Sequence, residues 1–134
     1  MQKVCFLIVS LLCLYNCSNI KNEPVRVNLP DSISYSFVIQ VNEVGNYFVY
    51  IPDESERIKS SQLMPSKVSI SDSIWAVQLT DIDNCIKAYK KAIVSNDVKI
   101  NIEANSQTEY KSIKNIMEYL QDSGYHRYYL TTVH

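Results

Sequence analysis

The last third of the chain constrains the fold most, because strand and helix patterns alternate there with short turns between them. Alternating apolar positions over Val98–Ile102 predict a strand, and Arg127–Val133 predicts the last strand. Between them, Glu109–Ser123 has helical spacing and Gly124 lies where a left-handed cap is expected. The apolar stripe of this helix is Tyr110, Ile113, Met117 and Leu120, with Ile116 beside it. The order predicts a sheet that carries a helix on one face.

The first half of the chain has the pattern of a β-hairpin followed by a surface excursion. Apolar residues alternate over Ser34–Val41 and again over Tyr47–Ile51, and a loop that contains Gly45 separates the two runs. The charged, Ser-rich span Asp53–Lys67 is expected to lie on the surface, with one helical turn around Glu56–Leu63. We assign no function to this excursion.

The middle of the chain completes the predicted architecture. One or two further strands are expected over Val68–Leu79, where Trp75 would bury the largest apolar side chain. A helix capped by Thr80 or Asp81 follows and is expected to end at Asn96-Asp97. Its apolar face is Ile82, Cys85, Ile86, Tyr89 and Ile93, so Cys85 is expected to be a buried hydrophobe. The fold class predicted is α+β, a mixed β-sheet with two helices packed on one face.

The N-terminal residues have the composition of an export signal. Residues 4–15 are mostly apolar, but a helix of that length reaches only about 18 Å, short of a bilayer core of roughly 30 Å. We therefore expect residues 1–16 to be a signal peptide and Cys17 to be the acylated cysteine of a bacterial lipoprotein. An uncleaved signal anchor and ordinary signal cleavage are the alternatives.

A tether and an extended arm are expected between the anchor and the folded unit. Residues 17–28 are polar with short alternation at their end, and residues 29–134 form the predicted domain. The arm is marked by Val25, Val27, Leu29 and Pro30. We expect it to bind a partner or a second copy, lying on a sheet edge of its own or another chain.

These landmarks together resemble the ExbD/TolR family of cell-envelope proteins. Val25–Pro30 is similar to the segment that begins the family's periplasmic part. The family's C-terminal spacing is matched by Ala104-Asn105, Tyr110, Ile113, Ile116-Met117, Leu120 and Gly124-Tyr125. The resemblance implies an ExbD/TolR-like periplasmic domain that forms a homodimer. It also implies a periplasmic or membrane protein partner in an ExbB/TolQ-like or TonB/TolA-like system.

Two departures from the family pattern limit what the resemblance implies. Asn105 replaces the Asp that usually follows the strand, although a short side-chain acceptor can still serve the turn. Residues 4–15 contain no Asp or Glu, whereas proton-coupled members carry an Asp inside their membrane helix. We therefore restrict the resemblance to the periplasmic module.

Residue types give no support for catalysis, metal binding or nucleic-acid binding. The histidines are His126, in a turn, and His134, at the last position, so a nucleophile, base and acid are not expected to meet. No metal-ligand spacing or phosphate-binding loop is present, and we expect no metal and no cofactor. The formal net charge is -1 with mixed signs, so we expect no nucleic-acid partner.

Three tyrosines near the end of the chain are candidates for an interface: Tyr125, Tyr128 and Tyr129. Neighbouring strand residues point to opposite faces, so Tyr128 and Tyr129 cannot both be in a core. One ring is either an ordinary exposed strand tyrosine or an aromatic anchor for a dimer or a peptide along this edge.

The sequence as a whole predicts a noncatalytic, lipid-anchored envelope protein. It would face the periplasm from the outer or the inner membrane and couple or scaffold biopolymer transport and energy transduction to the outer membrane. Two alternatives are a peptidoglycan-binding envelope module and a degenerate membrane-spanning ExbD-like transporter subunit.

Overall fold

The computed structural model describes residues 36–133, which form a mixed six-stranded sheet with helices on one face. The strands are β1 (Phe37–Val41), β2 (Tyr47–Tyr50), β3 (Ser69–Ser71), β4 (Ile74–Val77), β5 (Ile100–Asn105) and β6 (Tyr128–Val133). The helices are α1 (Glu54–Ser61), α2 (Ile82–Ile93), which follows the short 3-10 turn Leu79–Asp81, and α3 (Tyr110–Asp122). The predicted α+β class with a mixed sheet is confirmed. The expected helical turn in the excursion is the two-turn helix α1.

The sheet has an antiparallel half and a parallel half that meet at β1. Its strand order is β3-β4-β2-β1-β5-β6. The pairs β3/β4, β4/β2 and β2/β1 are antiparallel, whereas β1/β5 and β5/β6 are parallel. A parallel pair needs a crossover, and α3 supplies the one between β5 and β6. The hairpin and the last strand–helix–strand unit therefore share one sheet.

Strand register divides the sheet into a core face and a second face. On the core face, Ile39 lies between Val49 of β2 and Ile102 of β5. On the second face, Gln40 lies between Phe48 and Glu103. The core face packs against α2 and α3 in one cluster of buried residues, and α1 packs against α2.

Both long helices face the core, and the apolar face predicted for α2 is confirmed. Ile82, Cys85, Ile86 and Tyr89 are buried, and Ile93 packs at the margin. In α3 the buried positions are Ile116 and Leu120, with Ile113 and Met117 beside them. Tyr110, expected on the stripe, is 75% exposed because it is the first residue of the helix, away from its buried middle and end.

The turn between β5 and α3 explains why asparagine is suitable at position 105. Asn105 Oδ1 accepts hydrogen bonds from the Gln107 N–H (2.8 Å) and the Thr108 hydroxyl (3.2 Å), as an aspartate could. Its amide also donates to Glu43 Oε1 in the β1–β2 loop at 3.0 Å. An aspartate has no such donor and would place a second carboxylate against Glu43.

The two long helices end differently. Gly124 has φ +94°, the Tyr125 N–H donates to the Leu120 carbonyl and the Gly124 N–H to the Gln121 carbonyl, which is the predicted left-handed glycine cap. Helix α2 ends at Ile93, before the expected Asn96-Asp97, because Val94 adopts φ +53°. A β-branched residue in this region is strained by about 1–2 kcal/mol.

Val94→Gly should therefore stabilise the protein, by about 1 kcal/mol once the greater freedom of glycine in the unfolded chain is subtracted. Urea unfolding followed by Trp75 fluorescence measures the change. Val44→Gly is the matched control, because Val44 is also exposed but not left-handed, and it should destabilise. Equal effects of the two substitutions would show that Val94 is unstrained.

Candidate functional site

The candidate site is the outer edge of β6, at one end of the sheet. Within residues 36–133 this strand pairs with β5, and it is the last strand of the described sheet on this side. The strand reads Tyr-Tyr-Leu-Thr-Thr-Val, with no charge and no proline. The other edge, β3, is only three residues long and carries two serines. Short or charged edges discourage strand addition, and β6 has neither feature.

Two large side chains are exposed on this strand. Tyr129 is 49% exposed and Leu130 is 50% exposed, and register places them on opposite faces of the sheet. The sequence interpretation missed Leu130, because alternation alone gives it the same side as core residues. Only the position of β6 at the edge leaves it exposed. Tyr129, Leu130 and the edge backbone of Tyr128–Val133 are called the β6 edge below.

Tyr125 lies in the turn before β6 and is engaged within the chain. Its hydroxyl donates to Asp83 Oδ1 of α2 at 2.7 Å. The Lys90 ammonium lies 4.9 Å from its ring centroid, within cation–π distance. These contacts fix the turn that leads into β6 against α2.

Tyr128 is half-buried on the core face and has a polar contact of its own. Its hydroxyl accepts from Gln121 Nε2 of α3 at 3.0 Å, and its ring packs against the core. The expectation that Tyr128 and Tyr129 lie on opposite faces is correct. Of the three tyrosines considered from the sequence, Tyr129 is the one that is exposed on the strand, while Tyr125 and Tyr128 position it.

The Asp83 carboxylate of α2 contacts both the Tyr125 hydroxyl and the Lys87 ammonium beside the turn that leads into β6. Burial raises the pKa of its carboxyl, but hydrogen bonds from Lys87 and Tyr125 and the charges of Lys87 and Lys90 together lower it below its ordinary value. Lys87 Nζ lies 2.9 Å from Asp83 Oδ2. Asp83 is therefore ionised at neutral pH and holds the Tyr125 hydroxyl as a donor.

An open groove of about 490 Å³ lies at the C-terminal end of α2. It is lined by Lys87, Lys90, Lys91, Val94, Ser95 and Asn96. Lys87 is paired with Asp83 and Lys90 lies over Tyr125, so much of its positive charge is already engaged. The carbonyl end of a helix also disfavours an anion. This groove is a weaker candidate than the β6 edge.

The other chemical groups considered from the sequence are possible metal ligands, His126 and Cys85. Between residues 36 and 133 no group of three His, Cys, Asp or Glu side chains could hold a metal ion. His126 is exposed in the turn before β6. Cys85 is fully buried, and burial together with the charge of Asp81 raises the pKa of its thiol to about 12.

Several residues considered from the sequence lie outside the described range: Cys17, Val25, Val27, Leu29, Pro30 and His134. Among residues 36–133 no helix is long and apolar enough to cross a membrane. No family model, curated protein or solved structure matches this chain.

Tyr125→Phe should destabilise the protein at pH 7 by about 1 kcal/mol, because ionised Asp83 loses a hydrogen-bond donor. Folding lowers the pKa of the Asp83 carboxyl, so its ionised form stabilises the folded protein above the unfolded pKa of about 3.9. That stability is lost as the pH falls through the lower pKa of the folded protein. The difference between variant and wild type should therefore shrink as the pH is lowered progressively below about 3.9. Urea unfolding at pH 7 and over a series of acidic pH values measures it.

Tyr128→Phe is the matched control, since its hydroxyl contacts the neutral Gln121. Its smaller effect should not change with pH. If both variants showed the same pH dependence, the hydrogen bond between Tyr125 and Asp83 would not be the cause of that dependence.

Proposed function

We propose that the chain is a noncatalytic, lipid-anchored envelope protein whose ExbD/TolR-like domain couples or scaffolds biopolymer transport at the outer membrane. It faces the periplasm, forms a homodimer and engages a periplasmic or membrane protein partner. The α+β architecture, the helix that links β5 to β6 and the Gly124 cap support the proposal. They are the fold features that the resemblance implies.

The observation that carries the proposal is the β6 edge. This six-residue strand has no charge and no proline and is the last strand of the described sheet on its side, with Leu130 and Tyr129 exposed on its two faces. An added strand would gain main-chain hydrogen bonds, and the two side chains would give it register. Pairing of two β6 strands would produce a continuous sheet across a two-fold axis, which is the symmetry that most homodimers use.

The mechanism under this proposal is mechanical. Binding at a strand edge places partner and sheet in one hydrogen-bonded array, so a displacement of the partner is transmitted through the strands. No bond in a substrate is made or broken. The contacts of Tyr125 and Tyr128 with the helices serve this role, because they hold β6 against the rest of the domain.

Leu130→Lys should weaken the dimer, because an exposed lysine on an edge strand opposes strand addition. We expect the dimer dissociation constant to rise at least about tenfold, measured by analytical ultracentrifugation of the purified protein over a concentration series. Ser71→Lys, on the opposite edge, is the control and should sediment like wild type. A wild-type chain that stays monomeric at all concentrations, or a dimer insensitive to Leu130→Lys, would contradict the proposed interface.

Lipid anchoring is tested at Cys17. Cells fed an alkyne fatty acid should label the wild-type protein, and Cys17→Ala should lose the label. Cys13→Ala is the matched control and should be labelled like wild type. Equal labelling of wild type and Cys17→Ala would remove the anchor from the proposal while leaving the dimer interface untouched.

A further inference from the structure

The groove at the C-terminal end of α2 has a positively charged lining. The residues that line it are Lys87, Lys90, Lys91, Val94, Ser95 and Asn96, and none of these is acidic. Lys91 is exposed, and the Lys87 side chain is 67% exposed, so its ion pair with Asp83 is a surface pair that holds the lysine weakly. The Tyr125 ring attracts the Lys90 ammonium without neutralising it. All three ammonium groups can therefore meet an anionic surface.

An apolar side chain stands out from the same groove. Val94 is 90% exposed, whereas Ile70 and Ile58, two other exposed apolar residues, are 61% and 56% exposed. A protruding apolar side chain among lysines is typical of surfaces that bind anionic membranes, because the apolar group enters the headgroup region while the ammoniums meet lipid phosphates. Val94 and the three lysines give this combination at one place in the fold.

The backbone at position 94 needs a left-handed residue but not a valine. Val94 has φ +53°, and its N–H donates to the Lys90 carbonyl where α2 ends. A glycine would adopt this conformation without strain and make the same hydrogen bond. The end of the helix thus gives no reason for the valine side chain. Strain kept at an exposed position points to a role of that side chain outside the fold.

The groove lies at the end of the sheet where the described chain begins. The Ser36 N–H donates to the Lys99 carbonyl at 3.1 Å, and Lys99 ends the loop that leads from α2 to β5. Strands β1 and β5 pair in parallel from Phe37 and Ile100 onward, so both start at this end. Under the proposed function, the anchor precedes Ser36 in the chain, and this end is the one attached to the membrane. That orientation rests on the proposed function, whereas the lysines and the exposed valine do not.

The carbonyl end of α2 opposes a small anion inside the groove more than it opposes a lipid surface outside it. The dipole of a helix acts within about one turn of its end. A lysine ammonium is carried on a long flexible stem, so it can meet a phosphate away from the helix carbonyls. An array of headgroups can also contact all three lysines at once. The lining therefore favours a lipid surface over a soluble anion.

We propose that the three lysines of the groove and Val94 form a contact site for an anionic lipid surface. The ammoniums lie at headgroup phosphates, and Val94 lies among the headgroups. Each lysine at such a surface strengthens binding about fivefold. A site of this size binds weakly and reversibly by itself and adds to an anchor where one is present. It would hold the groove end of the domain against the membrane.

Vesicle flotation of the full chain tests the lysines. All proteins carry Cys17→Ala, so no acyl chain at Cys17 contributes and the outcome does not depend on the proposed anchor. The chain with this change alone, called the parent chain, should bind vesicles of equal parts phosphatidylcholine and phosphatidylglycerol more tightly than vesicles of phosphatidylcholine. Lys91→Glu should lower the partition coefficient on the mixed vesicles at least about tenfold, because it reverses one charge of the site.

Lys67→Glu is the matched control, since it makes the same change in net charge at another exposed lysine. Lys67 precedes β3, whose first residue lies in register toward the opposite end of the sheet. This variant should bind the mixed vesicles like the parent chain. Equal losses in Lys91→Glu and Lys67→Glu would overturn the proposal, because net charge alone would then explain binding. A parent chain that binds both kinds of vesicle equally would also overturn it.

Val94→Gly tests the apolar contact. It should bind the mixed vesicles at least about threefold more weakly than the parent chain, although it is expected to be more stable. Val44→Gly, in the loop at the other end of β1, should be less stable but bind like the parent chain. A purely structural role of Val94 would not change stability and binding in opposite directions. Parent-like binding of Val94→Gly would show that Val94 does not enter the headgroup region, against the proposal.

Inorganic phosphate distinguishes a lipid surface from a free phosphate ion as the partner of the groove. At equal ionic strength, sodium phosphate and sodium chloride should release the parent chain from the mixed vesicles to the same extent, because both screen the same charges. Greater release by phosphate would show that the groove binds the free ion, and the proposal would fail.

Discussion

The pairing of β1 with two different kinds of neighbour holds the structure together. It hydrogen-bonds antiparallel to β2 on one side and parallel to β5 on the other, so the hairpin and the C-terminal strand–helix–strand unit have this strand in common. All five of its residues are buried. A strand buried on both faces is normally a continuous apolar run, and Gln40 is the single polar residue in this one.

The exception at Gln40 is matched by Glu103, its direct neighbour across the parallel pair. A one-residue slip of β5 along β1 would move Glu103 to the core face, among the isoleucines and beneath α2 and α3. The cost of burying a carboxylate there without hydrogen bonds is far larger than the gain of any apolar contact. The polar pair thus selects the register of the pairing on which both halves depend, which is the best-attested use of a buried polar group.

Local patterns in the sequence were sufficient to predict a helix or strand and its buried face where one side of the element is apolar and the other is polar. The face of α2 through Ile82 and Tyr89, the glycine cap of α3 and the burial of Trp75 follow from spacing and residue type, and each is as predicted. The end of α2 could not be predicted, because Val94 takes a conformation that its side chain opposes. The exposure of Leu130 could not be predicted for a different reason. It depends on which strand is last in the sheet, and strand order is set by contacts between residues far apart in the sequence.

The position of β1 also determines how a load would cross the domain under the proposed function. The chain enters the sheet at Ser36, directly before β1, whereas the β6 edge lies two strands away through β5. A pull on the tether and a partner at β6 would act on opposite sides of two parallel ladders, β1/β5 and β5/β6. Such a pull loads several backbone hydrogen bonds of each ladder together, because they are evenly spaced along the paired strands. Side-chain hydrogen bonds link Gln40 to Glu103, Glu103 to Asn101 and Asn101 to Thr131, and so cross the same two ladders. They would resist sliding of β1, β5 and β6 past one another. Placing the entry at β1 and the β6 edge at the end of the parallel half therefore suits a domain that transmits position.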